Sequence, residues 1–556
     1  MSKLSGAQII VELLERQGIR TIAGIPGGGN LPLYDALSRS GRIHHVLARH
    51  EQGAGFIAQG MARVTGLPQA CIATSGPGVT NILTAIADAK LDSIPVVCIA
   101  GQVPRPLIGT SAFQEVDTYR LSLPITKKSF EAGSASALLD IVPEAFRVAA
   151  SGRPGPVLID VPKDVQTEMV DVDVWPEPGK PDRPPAFPAE DVLLAVEVIN
   201  AAKRPVLFLG GGVIHSEAGR LAVQLAEKAS IPVATSLMGL GAIPSDHPLC
   251  LGLIGMHAAV YTNMVLDECD LLISAGVRFD DRATGKVAEF CPRAEVIHID
   301  IDPGEIGKLK TAHIGIAGDI GEVLEMMLPA VENSTRGKWL SFVDGLRREH
   351  PQPMPSDGDL GVPYGLIRET ARLLGDEAII TTDVGQHQMW TAQAYPFRGP
   401  RQWLTSGGLG TMGFGVPAAI GAALSSPGRP VVCFSGDGSL MMNIQELATA
   451  VQEAVDVKIV VFDNSCLGLV RQQQDLFFER RIFACNFDSP ADFVRIAEGF
   501  GMRAFDLDAS DDPLGTLAHA LKTKGPCLIR ARIGRDEKVY PMVPPGAPNR
   551  CMLDGI

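Results

Sequence analysis

The chain has 556 residues, 46% of them hydrophobic and 20% charged, an ordinary globular composition with material for three or four domains. Its net charge of -14 argues against nucleic acid as the main partner, because phosphate binding wants a basic face, and no apolar run reaches membrane-spanning length. Ten cysteines without a CxxC pair and eleven histidines without HxxxH spacing point to a reducing, cytoplasmic setting, and away from a disulfide framework or a histidine-bound metal.

The chain opens on an amphipathic helix pattern and lacks the n-region, apolar core and cleavage site of a signal peptide. Residues 48–63, ARHEQGAGFIAQGMAR, follow with Ala54, Ile57, Ala58 and Met61 on one helical stripe. Glu51 opens that helix. Taken alone, it reads as an acid placed at a helix N-terminus, where negative charge is favoured. QACIATS and PVVCIAG then read as strands around the helix GVTNILTAIADAKL. Residues 174–190 carry six prolines and no periodicity, as an extended linker does. In the next block PVLFLGGG, DLLISAG and EVIHIDID are strands ending in Gly or Asp, and residues 350–363 form a second linker. EAIITTD, PVVCFSGDG and VKIVVFDN are the strands of the last block. Continuous β-branched runs alternating with helices indicate parallel sheets covered on both faces. The expectation is three doubly wound α/β domains over 1–175, 190–340 and 360–540, with a tail from 541 to 556.

Ligands of such sheets sit at the carboxyl ends of strands. GDGSLMMNIQELATAVQEAVDVKIVVFDN, 436–464, follows a strand over 431–434 and reads as a helix over 439–454 and a second strand over 457–462. Asp437 and Asn464 then emerge at one sheet edge. Magnesium takes few carboxylates and completes an oxygen shell with phosphates and water. Asp437 offers an anionic oxygen, Asn464 a neutral one, and the carbonyl of Cys466 a third. GDG alone is usually a β-turn; followed at this spacing by Asn it resembles the thiamine diphosphate motif. Its second half is normally Asn-Asn and is here Asp463-Asn464. In the second block, GxGxxG is absent after Gly210 and Gly211, so glycines there and Asp300 at a strand end are ambiguous on their own.

Further stretches carry the resemblance along nearly the whole chain: IPGGGNLPLYDAL (25–37), RHEQGAGFIAQG (49–60), SGPGVTNILTAIADA (75–89), GQVPRPLIGTSAFQEVDTY (101–119), SGRPGPVLIDVPKDVQ (151–166), VRFDDRATGK (277–286), GQHQMWTAQ (385–393), RQWLTSGGLGTMGFGVPAAIGAA (401–423) and YPMVPPGAPN (540–549). The chain resembles the catalytic large subunits of the acetolactate synthase family. The resemblance implies thiamine diphosphate, Mg2+ and a non-redox FAD as cofactors, and pyruvate and 2-ketobutyrate as substrates. It implies 2-acetolactate or 2-aceto-2-hydroxybutyrate as product, for branched-chain amino acid synthesis. Glu51 becomes the acid that shares a proton with the cofactor's pyrimidine; glyoxylate carboligases carry valine there. Gly28, Gln386, His387, Gly410, Met412, Asp437, Gly438, Ser439, Asn464, Leu467, Gly468, Leu469 and Val470 match the family's thiamine diphosphate positions, with Asp437, Asn464 and Cys466 on the metal. Ser93, Arg153, Gly210, Gly211, Ser236, Leu237, Met256, His257, Gly276, Arg278, Asp280, Asp300, Ile301 and Asp319 match its FAD positions. Arg282 resembles the arginine that holds the acceptor's carboxylate, and Gln114 and Lys163 match positions at the substrate entrance. Ser111 stands where the family has aspartate, and Gln473 where most members have an acceptor-pocket tryptophan. A cofactor bound between domains of different subunits implies at least a homodimer, or a homotetramer; a separate regulatory small subunit would supply any feedback control. A flavin-dependent pyruvate oxidase, a 2-ketoacid decarboxylase and a non-catalytic homologue are the competing readings.

Overall fold

The computed structural model describes residues 2–352 and 358–555; part of the expected second linker, 353–357, lies outside the described residues. Three six-stranded sheets are built entirely from parallel pairs. The first runs His44–Leu47, Thr21–Gly24, Gln69–Ala73, Val96–Gln102, Val157–Pro162, Lys128–Glu131 in spatial order. The second runs Cys250–Leu253, Val233–Thr235, Pro205–Leu209, Leu271–Ala275, Glu295–Asp300, Ile314–Ala317. The third runs Trp403–Leu404, Ile379–Thr382, Val431–Gly436, Val457–Asp463, Cys527–Arg532, Arg503–Asp506.

Side chains alternate across each sheet, and both faces are dry. Ala70 and Ile72 enter one core while Cys71 and Ala73, between and after them, enter another. A parallel sheet covered by helices on both faces requires this, and it explains the unbroken apolar runs. Each sheet starts near its middle, grows to one side, and then returns to grow on the other. The crevices at these reversals lie between Thr21–Gly24 and Gln69–Ala73, between Pro205–Leu209 and Leu271–Ala275, and between Ile379–Thr382 and Val431–Gly436.

Two local expectations give way. The chain begins with a strand, Ser2–Ser5, paired antiparallel with Met169–Val172, before its first helix, Gly6–Arg16, capped by Ser5. The single helix over 439–454 is two, Asp437–Leu440 and Glu446–Gln452. Asn443 between them donates from Nδ2 to the Gly413 carbonyl at 2.7 Å, and a side chain bound to another loop takes that turn out of the helix.

The first and third sheets meet through helices Glu51–Thr65 and Gly415–Ser425. Their backbones touch: a Cβ on Gly60 would lie 2.1 Å from the Ala418 oxygen, and one on Gly421 2.0 Å from the Ile57 oxygen. No helix among the described residues is long and apolar enough to cross a membrane.

Candidate active site

At the crevice of the third sheet, Asp437 follows strand Val431–Gly436 and Asn464 follows Val457–Asp463, with Gln386 and His387 opening helix Gln386–Ala394 beside them. Asp437 Oδ1 accepts from Gly438 N at 2.8 Å, whereas its buried Oδ2 has no partner. Burial, reinforced by Asp463, pushes this carboxyl up to about 7. Asn464 Oδ1 accepts from Cys466 N at 3.3 Å, and its Nδ2 donates to Gln386 Oε1 at 3.2 Å. His387 is buried with Nε2 unpartnered, and burial drives its pKa down to about 3, so the ring is neutral. Gly468 opens helix Gly468–Phe477 where a Cβ would strike Gln386 Oε1 at 1.9 Å. Two orphaned polar atoms, and glycines at 438 and 468 where a side chain would collide, fit a metal-bound anion. Among the described residues no three of His, Cys, Asp or Glu converge; a magnesium diphosphate site needs no such cluster, since amide, carbonyl and phosphate oxygens complete its shell.

The first sheet gathers a different set. Glu51 is buried, and its helix is capped by His50, whose Nδ1 accepts from Gln52 N at 3.1 Å. The Glu51 carboxylate turns away from those amides: Oε2 accepts from Asn81 Nδ2 at 2.9 Å and Oε1 faces Gly78. Gln114, at φ 60°, lies against Gly76 in the same turn, and Gly28 lies in the loop that packs on Thr74 and Ser75. Lys163 begins the short helix after strand Val157–Pro162. Among the described residues no hydrogen bond or ion pair joins Glu51 to Asp437, Asn464 or His387.

The middle sheet borders a cavity of about 1060 Å³. Ser93, Arg153, Gly211, Ser236, Leu237, Met256, His257, Gly276, Arg278, Asp280, Asp300, Ile301 and Asp319 line it, as do Arg282, Gly410, Leu469 and Gln473. Gly210 does not: it lies under the wall, where a Cβ would meet the Gly276 oxygen at 2.0 Å, so its smallness serves strand packing. Arg153 reaches across from the first domain, donating to Ser93 Oγ at 2.8 Å and Glu305 Oε1 at 2.9 Å. Burial raises the Asp300 carboxyl to about 6 and lowers His257 to about 4. Asp280 and Asp319 also cap helices Asp281–Thr284 and Ile320–Ala330. Arg282 is exposed at the mouth.

Three supporting residues escaped the sequence reading. Asn81 is thirty positions from Glu51 and only folding joins them. Gln472 accepts from Gln386 Nε2 at 3.1 Å and from Val539 N at 2.8 Å. Asp383, at the end of strand Ile379–Thr382, accepts from Gly413 N at 2.8 Å and Gly415 N at 2.9 Å; the strand-end rule that singled out Asp437 would have found it.

Residues 4–121, 192–327 and 383–531 match the family profiles described as the N-terminal TPP binding domain, the central domain and the C-terminal TPP binding domain of thiamine pyrophosphate enzymes. The chain is 56% identical over 551 residues to the acetolactate synthase isozyme 1 large subunit of Escherichia coli K12, covering 99% of this chain and 98% of that protein. It is 45% identical over 554 residues to the isozyme 2 large subunit of the same organism, covering all of both. It is 44% identical over 569 residues to the chloroplastic acetolactate synthase 1 of Zea mays, covering 99% of this chain and 89% of that protein. With matches in one order across all three sheets, the chain belongs to the acetolactate synthase large-subunit family of thiamine pyrophosphate enzymes.

Proposed function

We propose that Asp437, Asn464 and the Cys466 carbonyl hold Mg2+ against the diphosphate of thiamine diphosphate, that FAD fills the cavity of the middle sheet without a redox step, and that a second copy of the chain brings Glu51 to the site. The reaction itself is that of the family: one pyruvate loses carbon dioxide, and its two-carbon remainder joins a second 2-ketoacid. When bound, thiamine diphosphate supplies the electron sink for that decarboxylation. The observation that carries the assignment is the buried, partnerless Asp437 Oδ2, with a second partnerless atom, Nε2 of His387, on a ring that packs against the preceding Gly436.

Asn81 fixes one oxygen of Glu51, leaving the other to hold a proton for the pyrimidine nitrogen. His387 and Gln386 orient the diphosphate end. Arg282 grips the carboxylate of the acceptor ketoacid from the cavity mouth; a planar guanidinium suits a carboxylate. Gln114 and Lys163 line the entrance. Large apolar side chains stand exposed in the single chain: Phe113, next to Gln114 on the first domain, is 88% exposed, and Phe483 on the third 81%. Covering them is the work of a partner copy, in a homodimer or homotetramer. The relatives' names as large subunits support a separate regulatory small subunit.

Calorimetry tests the metal site. Asp437→Ala removes the anionic ligand, and magnesium-dependent thiamine diphosphate binding should collapse while FAD stays bound. Normal binding by this variant refutes the assignment. Acetate or acetaldehyde as the main product from pyruvate would favour the oxidase or decarboxylase reading.

A further inference from the structure

Three buried charged residues have no role in the site described so far, although one of them, Asp92, sits in the wall of the middle-sheet cavity. Arg63 lies in the last turn of helix Glu51–Thr65, Asp88 lies in helix Pro77–Leu91, and Asp92 is that helix's C-cap. All three are buried. Arg63 Nη2 donates to Asp92 Oδ2 at 2.8 Å and is 3.5 Å from Asp88 Oδ2. Stability alone does not account for the arrangement. A carboxylate at a helix C-terminus meets the negative end of the helix dipole, and buried ion pairs often contribute little net stability.

Arg63 also donates to Gln59 Oε1 at 2.9 Å within its own helix, and the remaining side-chain hydrogen bonds of the two carboxylates go to one loop of the third domain. Gly408 N donates to Asp92 Oδ1 at 2.7 Å and Gly407 N to Asp92 Oδ2 at 3.0 Å. Thr411 Oγ1 donates to Asp88 Oδ1 at 3.0 Å, and Ser406 Oγ donates to the same oxygen. The loop faces two ways. Gly407, Gly408 and Gly410 line the cavity of the middle sheet. A Cβ on Gly407 would strike Met238 Sδ at 2.3 Å, and one on Gly408 would lie 3.3 Å from Arg278 Nη2. Its other end runs through Gly410 into Met412.

We propose that Asp92, supported by Asp88 and Arg63, is a positioning residue that fixes the 406–411 loop, so that the thiamine diphosphate site and the flavin cavity share one buried support. This rests on the reading that Gly410 and Met412 hold thiamine diphosphate and that the cavity takes FAD. Asp92→Asn keeps an acceptor for Gly408 and sets an amide against Gly407 N–H and Arg63. In FAD-loaded protein titrated with thiamine diphosphate and Mg2+, its Kd should rise about tenfold, the equivalent of one charge-assisted hydrogen bond. The flavin should also wash out faster, with kcat at saturating cofactor little changed. Thr411→Val removes a single loop hydroxyl without altering charge, and should weaken binding in the same direction if Asp92→Asn does not fold. Ile10→Val trims the far core of the first domain and should leave both cofactors alone.

Wild-type affinity and flavin retention in both loop variants, with Asp437→Ala still unable to bind, would overturn the proposal and leave the cofactor assignment standing. Normal binding by Asp437→Ala as well would bring down both. Equal weakening by Ile10→Val would make the effect one of general stability and overturn the positioning role.

Discussion

Glu51 shows how much a single contact decides. Its helix is already capped by His50, and Asn81 holds its carboxylate in place. Glu51→Gln keeps the oxygen that Asn81 bonds, so fold and most cofactor binding should survive. Exchange of the cofactor's C2 proton, followed by NMR, should slow by about 10²–10⁴-fold; wild-type exchange would return the residue to a structural role. Asp463, where the family motif has asparagine, spends its charge on Arg530 at 2.8 Å, which also binds Asp506 at 2.8 Å. Ser111, in the place of aspartate, takes φ 58° in an exposed loop, a conformation aspartate adopts more readily. Gln473 lines the cavity while its neighbour Gln472 is tied to Val539. A polar amide there offers little apolar surface to the extra methyl of 2-ketobutyrate. One methylene in an apolar pocket is worth about 10–200-fold, so the chain should choose acceptors nearly in proportion to supply. Gln473→Trp should shift the product ratio toward 2-aceto-2-hydroxybutyrate by about tenfold or more; an unchanged ratio in competition assays refutes the assignment.

Among the elements, the helix pair Glu51–Thr65 and Gly415–Ser425 is the most constrained. Gly421→Ala would drive a methyl to 2.0 Å from the Ile57 carbonyl, a backbone atom that cannot rotate aside. Overpacking of this kind costs about 1–3 kcal/mol, so thermal melting should fall by several degrees, and Glu51, carried on the shifted helix, should lose activity with it. A melting point equal to wild type would mean the helices part without cost. The strands were legible because parallel strands buried on both faces must be continuously apolar. The helix over 439–454 was misread for the complementary reason. Its sequence is helix-compatible throughout, and the break comes from Asn443 bonding a loop thirty residues away.

Across the whole molecule, Glu51 and Asp437 belong to separate clusters, and among the described residues no hydrogen bond or ion pair joins them. If two copies complete each site, Glu51→Gln and Asp437→Ala are each inactive alone but complementary when co-expressed. Half of randomly mixed dimers would be heterodimers with one intact site, giving about a quarter of wild-type activity. No activity in the mixture would place both residues in a single chain's site.

The sequence by itself determined the three parallel sheets, the strand ends that carry Asp437 and Asn464, and the family, because these depend on local periodicity and on residue types at short, fixed spacing. Only the tertiary structure decided which side chains meet across long separations. It turned Glu51 toward Asn81, set Gly210 beneath the cavity instead of in its wall, and closed Asp88 and Asp92 around a loop more than three hundred residues away. Such contacts leave no periodic trace, since they are fixed by where domains pack and not by the pattern within any one element.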